Sequence, residues 1–372
     1  MNENLTTATA TATANPVEQE RPALQRAMEG VVAAGFTGVQ LRVTDAHGEW
    51  TASAGHREIG GTEKPSTEGA FRIGSNTKTF TAALVLRLVA EDGIDLDAPV
   101  ADLLPKFTLD PRITVRMLLQ HTSGVYNFTG DFEDGELVPG ITWQGKAWVE
   151  DRFRTFSPEE LVEFALAKPL NFEPGTAWSY SNTNYVLARL VVEAATGRPF
   201  PEEMRRLVLD PLGLKDTAVP ETSPDIPGEH AHGYYRLEED GEVRIVDVSR
   251  MNPSRVSTGG DMISTTKDLQ AFITGLLGDE FLPAGLLAEM VEPYPTPIPN
   301  MGYGLGVFVQ ETAGGTLITH NGGIASYAAL MFSTPDGSRT LTASLNYVDD
   351  VRMTLATAFQ EVLQSLVDEV FA

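Results

Sequence analysis

Ser75 and Lys78 stand three positions apart in the stretch Phe71-Arg-Ile-Gly-Ser-Asn-Thr-Lys-Thr-Phe80. The apolar run from Phe80 to Ala90, closed by Glu91-Asp92-Gly93, predicts a helix opening near Ser75. At that spacing the two side chains share one helix face, a turn apart. A lysine whose pKa is depressed by burial can take the hydroxyl proton of such a serine. The pair is therefore a candidate activated nucleophile.

The chain carries its own control. Ser264-Thr-Thr-Lys267 has the same spacing but lies between Gly259-Gly260 and the run Leu269 to Leu277. There Ser264, Thr265 or Thr266 reads as a helix cap. What distinguishes Ser75 is that other segments supply the remaining roles of a catalytic site.

Tyr180-Ser-Asn182 follows the Pro174-Gly175 turn and enters a helix expected over about 183–196. A phenol beside an ammonium group can act as a general base, and the Asn182 amide can orient a substrate carbonyl. The competing reading packs Tyr180 on Trp178 and makes Asn182 a helix cap. His320-Asn-Gly-Gly323 ends a predicted strand, where glycines allow close approach to the backbone. The Gly323 N–H could join that of Ser75 in an oxyanion hole, and His320 could relay a proton near neutral pH. The competing reading is a strand-end turn with a partly buried histidine. Each motif is weak alone; their order, on a helix start, a helix entry and a strand end, favours catalysis.

These residues need a scaffold. A helix is expected from Pro22, with Leu24, Met28, Val31 and Val32 on one face. Alternation at Val39, Leu41 and Val43, then a turn and Trp50 to Ala54, predicts a hairpin. Between Ala98 and about Arg255 the pattern is helical with long loops, including a polar rim from Tyr126 to Phe156 that carries Trp143 and Trp148. Strand patterns return at 306–311, 316–320, 328–333 and 340–346 before a final helix bearing Leu355, Phe359, Leu363, Leu366 and Val370. The fold class read from this is α/β (α+β): an antiparallel sheet flanked by N- and C-terminal helices, with an inserted all-helical domain. The expected divisions are a disordered tail over 1–20, a sheet domain from 21–97 and 256–372, and an insert over 98–255.

Composition bounds the partners. The net charge of −24 over 372 residues argues against nucleic acid or an anionic membrane surface. With no cysteine there is no disulfide and no thiolate nucleophile, and no metal or other cofactor is expected. The start Met1-Asn-Glu-Asn-Leu lacks a signal-peptide pattern, so a cytoplasmic protein is expected, although a trimmed export signal would leave the same sequence. No run reaches the roughly 18 apolar residues of a membrane span.

The motifs together resemble the serine β-lactamase-like and penicillin-binding hydrolases, above all the streptomycete-type D-alanyl-D-alanine carboxypeptidases. The resemblance runs from about Leu24 to the last helix. It is carried by the 71–78 stretch, Ile94-Asp-Leu-Asp-Ala98, Ile113-Thr-Val-Arg116, His121-Thr-Ser-Gly124, Tyr180-Ser-Asn-Thr-Asn184 and Tyr303-Gly-Leu-Gly306. It implies Ser75 as the acylated nucleophile, Lys78 as its base, Tyr180 as proton shuttle and Asn182 as holder of the substrate carbonyl. His320 would face the acyl-enzyme.

The chain also departs from that pattern. The carboxypeptidases place Thr after the strand His and again after its Gly, and an Arg on the preceding strand holds the peptide's terminal carboxylate. Here Asn321, Gly323 and Phe308 occupy those places. An aromatic ring cannot give a carboxylate charge-assisted hydrogen bonds. Arg255 is the remaining candidate for that contact, its alternative being an ordinary surface arginine. Relatives with a glycine-rich H-x-G-G strand end resemble D-aminopeptidases, D-amino-acid amidases, esterases and stand-alone peptide cyclases. The reading is a serine hydrolase or acyltransferase acting on a small-molecule or peptide amide or ester, with D-residues expected. The alternatives are a penicillin-binding-protein-type thioesterase or cyclase, and a non-turnover sensor of β-lactams or peptides.

Overall fold

The structure is a computed structural model and describes residues 21–133, 136–239 and 241–372. The tail expected over 1–20 lies outside the described residues.

Eight antiparallel strands form the central sheet. The order is Gly48–Gly55, Gly38–Asp45, Thr340–Asn346, Tyr327–Ser333, Gly315–Ile324, Phe308–Thr312, Met301–Tyr303 and Tyr294–Pro295. Strands from the two ends of the chain meet at the Gly38–Asp45 and Thr340–Asn346 pair, with Val39 opposite Leu345 and Leu41 opposite Ala343. One face is covered by the terminal helices Pro22–Ala33 and Ala356–Phe371. Leu24, Met28, Val31, Leu366 and Val370 pack there on Val39, Leu41, Leu330 and Leu341. The middle strands Tyr327–Ser333 and Thr340–Asn346 are buried along their whole length, as expected of a sheet covered on both faces.

The other face meets the helices Thr77–Ala90 and Thr266–Leu277, which lock together through Phe80 stacked on Phe272. Eleven of the fourteen residues of Thr77–Ala90 are buried, so this helix runs through the middle of the molecule. A helix apolar all round has no solvent face to present.

The segment from 98 to 255 supplies no strand of the central sheet, but it is not all-helical as the pattern suggested. Besides the helices Pro158–Leu166 and Asn182–Thr196 it holds two hairpins, Gly130–Glu133 with Glu136–Pro139 and Tyr234–Glu239 with Glu242–Asp247. The second hairpin was hidden because its outer strand is largely exposed and carries no alternation of burial. Ser157 forms the expected capping box with Glu160, and Thr265 is the cap of the decoy motif, accepting from Asp268 N. No helix among the described residues is long and apolar enough to cross a membrane.

Candidate active site

Ser75 lies in a short 3-10 turn, Gly74–Asn76, that feeds directly into the Thr77–Ala90 helix. Of the residues from Phe71 to Phe80 it alone is partly exposed. Gly74 has φ +50°, and a Cβ there would lie 2.7 Å from the Gly323 nitrogen. A Cβ on Gly322 would lie 1.9 Å from Ile73 O and 2.6 Å from Ser75 N. The glycines thus let the end of the Gly315–Ile324 strand lie against the nucleophile turn, bringing the Ser75 and Gly323 amides into one neighbourhood.

Two groups contact the Ser75 hydroxyl. Tyr180 OH donates to Oγ at 2.8 Å, and Lys78 Nζ lies 3.2 Å from Oγ. Lys78 Nζ also lies 2.6 Å from Asn182 Oδ1, 2.5 Å from Gly259 O, and 4.6 Å from the centroid of the Tyr180 ring. The Asn182 amide is oriented by its own Nδ2, which donates to Thr129 Oγ1 at 2.9 Å. Thr129 in turn donates to Asn127 Oδ1. Asn182 is therefore the first residue of its helix, and its side chain binds Lys78 rather than capping.

Burial holds the Lys78 pKa well below that of an ordinary lysine. Its partners suit a neutral amine. Nζ is placed to donate to Ser75 Oγ, Asn182 Oδ1 and Gly259 O. A neutral amine would keep its two N–H bonds to the acceptor-only groups Asn182 Oδ1 and Gly259 O and turn its lone pair to the Ser75 hydroxyl. Once protonated, the ammonium has three hydrogens for the same three partners. The site accommodates both states of a base without rearrangement.

Desolvation raises the Tyr180 pKa above the usual phenol value, so the phenolate anticipated beside an ammonium is not the resting form. Tyr180 rests as a donor. His320 also departs from expectation. Burial, with a smaller contribution from Lys78, lowers its pKa to about 3, so it is neutral rather than titrating near pH 7. Its Nε2 meets Tyr303 OH at 3.2 Å and its Nδ1 meets Asn321 O at 2.8 Å. It stands in an aromatic group behind Tyr180 with Tyr303, Phe308, Trp178 and His121. Phe308 sits edge-on to Tyr303 at 4.6 Å between centroids.

A cavity of about 370 Å³ opens on Ser75, with Asn182, Gly323, Trp143, Trp148 and Asp349 among its walls. Asn321 faces elsewhere, into an adjoining apolar recess with Phe36 and Phe359. Arg255 is not a surface arginine: it is 1% exposed and paired with Asp151 at 2.7 Å. It also donates to Thr142 O and Asp151 O and lines a separate cavity. Its place is under the 126–156 rim, tying down the short helix Gly145–Asp151 that carries Trp148.

Sequence reading assigned no role to Gly259 O, His121, Tyr303 or Asp349. His121 was visible only as part of a motif. In the structure it adopts φ +64° at the end of the Val115–Gln120 helix, accepts from Ser181 N through Nδ1, and packs 4.4 Å from the Tyr180 ring. A backbone carbonyl such as that of Gly259 leaves no mark in side-chain pattern.

Fold and site define a serine-hydrolase architecture of mixed α/β type. The beta-lactamase family model matches residues 21–362, and the chain belongs to that family. Penicillin-binding protein 4* of Bacillus subtilis (strain 168) is 26% identical over 329 residues, 85% of this chain and 69% of that protein. The D-stereospecific amidohydrolase of Streptomyces sp. superposes with a TM-score of 0.82 at 36% identity, covering 95% of this chain and 99% of the other. The D-amino acid amidase of Ochrobactrum anthropi SV3, complexed with L-phenylalanine amide, gives 0.78 at 26% identity over 93% and 97%.

Proposed function

We propose that the protein is a serine amidohydrolase that forms an acyl-enzyme on Ser75 from amides of D-amino acids or short D-peptides. The observation that carries this is the convergence of the Tyr180 hydroxyl and the Lys78 amine on one partly exposed serine oxygen. The D-amide class is supported by the likeness to the Streptomyces and Ochrobactrum enzymes along nearly the whole chain.

In the first half-reaction Ser75 Oγ bonds to the carbonyl carbon while its proton passes to the Lys78 lone pair. The N–H groups of Ser75 and Gly323 receive the negative oxygen. As the carbon–nitrogen bond breaks, the proton held by Lys78 returns to the leaving nitrogen by way of Tyr180 OH, the other group bonded to Oγ. Water then repeats the sequence in reverse roles. Its oxygen bonds to the acyl carbon, its proton passes to Lys78, and Ser75 leaves with a proton restored.

A cyclase or transpeptidase would differ only in the final acceptor. A carboxypeptidase is disfavoured: among the described residues lining the Ser75 cavity there is no lysine or arginine to hold a terminal carboxylate. The test is a panel of D- and L-configured amides, with active serine labelled by a fluorophosphonate. Multiple turnovers of D-amides, lost together with labelling in Ser75→Ala, are expected. Labelling of the Ser75→Ala protein equal to wild type would overturn the reading.

A further inference from the structure

The cavity in front of Ser75 has one carboxylate among its described walls and no cationic side chain to neutralise it. That carboxylate is Asp349, the second residue of the two-residue strand that pairs Val348 and Asp349 with Tyr234 and Tyr235. One of its oxygens accepts from Asp350 N at 2.8 Å. Among the described residues it makes no ion pair, although this chain forms many on its surface. Half-burial raises its pKa, as expected for a carboxylate that has lost water without gaining a counter-ion.

Asp349 also lines the second recess, of about 300 Å³, together with Gly323, Tyr347 and Met353, which are likewise shared by both cavities. The rest of that recess is mostly apolar, formed by Phe36, Ala328, Leu355 and Phe359. An unpaired carboxylate thus stands on the wall that the catalytic cavity shares with an apolar one. A substrate that reacts at Ser75 and extends within the same cavity to this shared wall is matched there by a cation with an apolar group beside it. The simplest molecule of that form is an amino-acid amide with a free α-ammonium group and an apolar side chain.

We propose that Asp349 binds the free α-ammonium of the substrate and that the recess bounded by Phe36 and Phe359 receives its side chain, so that the enzyme releases N-terminal residues and rejects N-acylated ones. This rests on the acyl-enzyme reading above. It goes further in fixing which end of a peptide is cut and which charge the substrate must carry. It also accounts for a site without a carboxylate-binding cation: charge recognition has moved from the leaving end to the amino end.

The experiment compares D-phenylalanine amide with N-acetyl-D-phenylalanine amide in the wild type and in Asp349→Asn, a variant that keeps the acceptor for Asp350 N. Fluorophosphonate labelling of Ser75 is measured in parallel. Wild type should prefer the free amine, and Asp349→Asn should lose roughly 10- to 100-fold in kcat/KM on it, mainly through KM. The N-acetyl amide and the labelling rate should be unchanged. Equal loss on both amides, or a wild type that prefers the acetylated one, overturns the amine assignment. Absence of labelling in the wild type instead overturns the acyl-enzyme reading. Phe359→Asp should weaken the free amide with an apolar side chain and spare D-alanine amide; equal effects on the two would remove the recess from the proposal.

Discussion

Lys78 Nζ and Asn182 Oδ1 lie 2.6 Å apart, 104 positions distant in sequence, and this contact fixes the amine beside Ser75 Oγ. It joins the buried central helix to the first turn of the Asn182–Thr196 helix. It also makes the protonation state of Lys78 sensitive to the chemistry of one neighbouring side chain.

Asn182→Asp places a negative charge beside Lys78 and favours its ammonium form. The base is then available only at higher pH. The acidic limb of kcat/KM should move alkaline by about one unit or more, with activity at pH 7 correspondingly reduced. An unmoved limb would detach Lys78 from the base role.

Lys78→Met removes an amine whose native pKa lies well below its ordinary value. A depressed lysine pKa costs stability at pH values below it, and the cost fades as pH rises toward the unfolded value of about 10.4. The wild type should therefore gain in Tm relative to Lys78→Met between pH 7 and 10. Acylation by the variant should fall by roughly two to four orders of magnitude. Thermal scans at several pH values, with burst-phase labelling, test both.

Asp261 is buried, and neither carboxylate oxygen has a partner among the described residues. Burial pushes its pKa up to about 6. A carboxyl with a raised native pKa contributes stability at low pH and loses it as pH rises through that value. Asp261→Asn should therefore stabilise the protein more at pH 7.5 than at pH 4, measured as the difference in Tm. A difference independent of pH would mean Asp261 ionises normally.

The two glycines at the strand end should respond oppositely. Gly322→Ala drives a methyl into Ile73 O and Ser75 N, so both Tm and serine labelling should drop sharply. At Gly323 a Cβ has only Tyr327 O, at 4.0 Å, for company. Gly323→Ala should melt within about 1 kcal/mol of wild type and change only the substrate profile.

His320, with its pKa near 3, contributes no limb to the pH–rate profile between pH 5 and 8. His320→Gln should lower the rate without changing the profile's shape. Loss of a limb near pH 6.5 in that variant would restore the titrating histidine.

Much of the site was legible because its chemistry is carried by side chains at fixed local spacings. Ser75 and Lys78 are a helical turn apart, and Tyr180 and Asn182 flank one helix entry. The sheet was legible through two-residue alternation in strands such as Gly38–Asp45. What escaped notice depends on long-range partners. The ionisation of His320 follows from burial among rings contributed by four separate segments, and the burial of Arg255 follows from Asp151 and the carbonyl of Thr142. Asp349 belongs to a strand of two residues, too short to register as a pattern.

The enclosure of the Thr77–Ala90 helix ties reactivity to global integrity. A nucleophile mounted on a lid or surface loop can melt out locally while the body stays folded. Here the Ser75 hydroxyl is anchored at the start of a helix with eleven of its fourteen residues buried. Heating should therefore silence the enzyme only when the whole body comes apart. Drift in substrate preference, by the same logic, is left to the cavity walls that lie outside this helix, Trp143, Trp148 and Asp349.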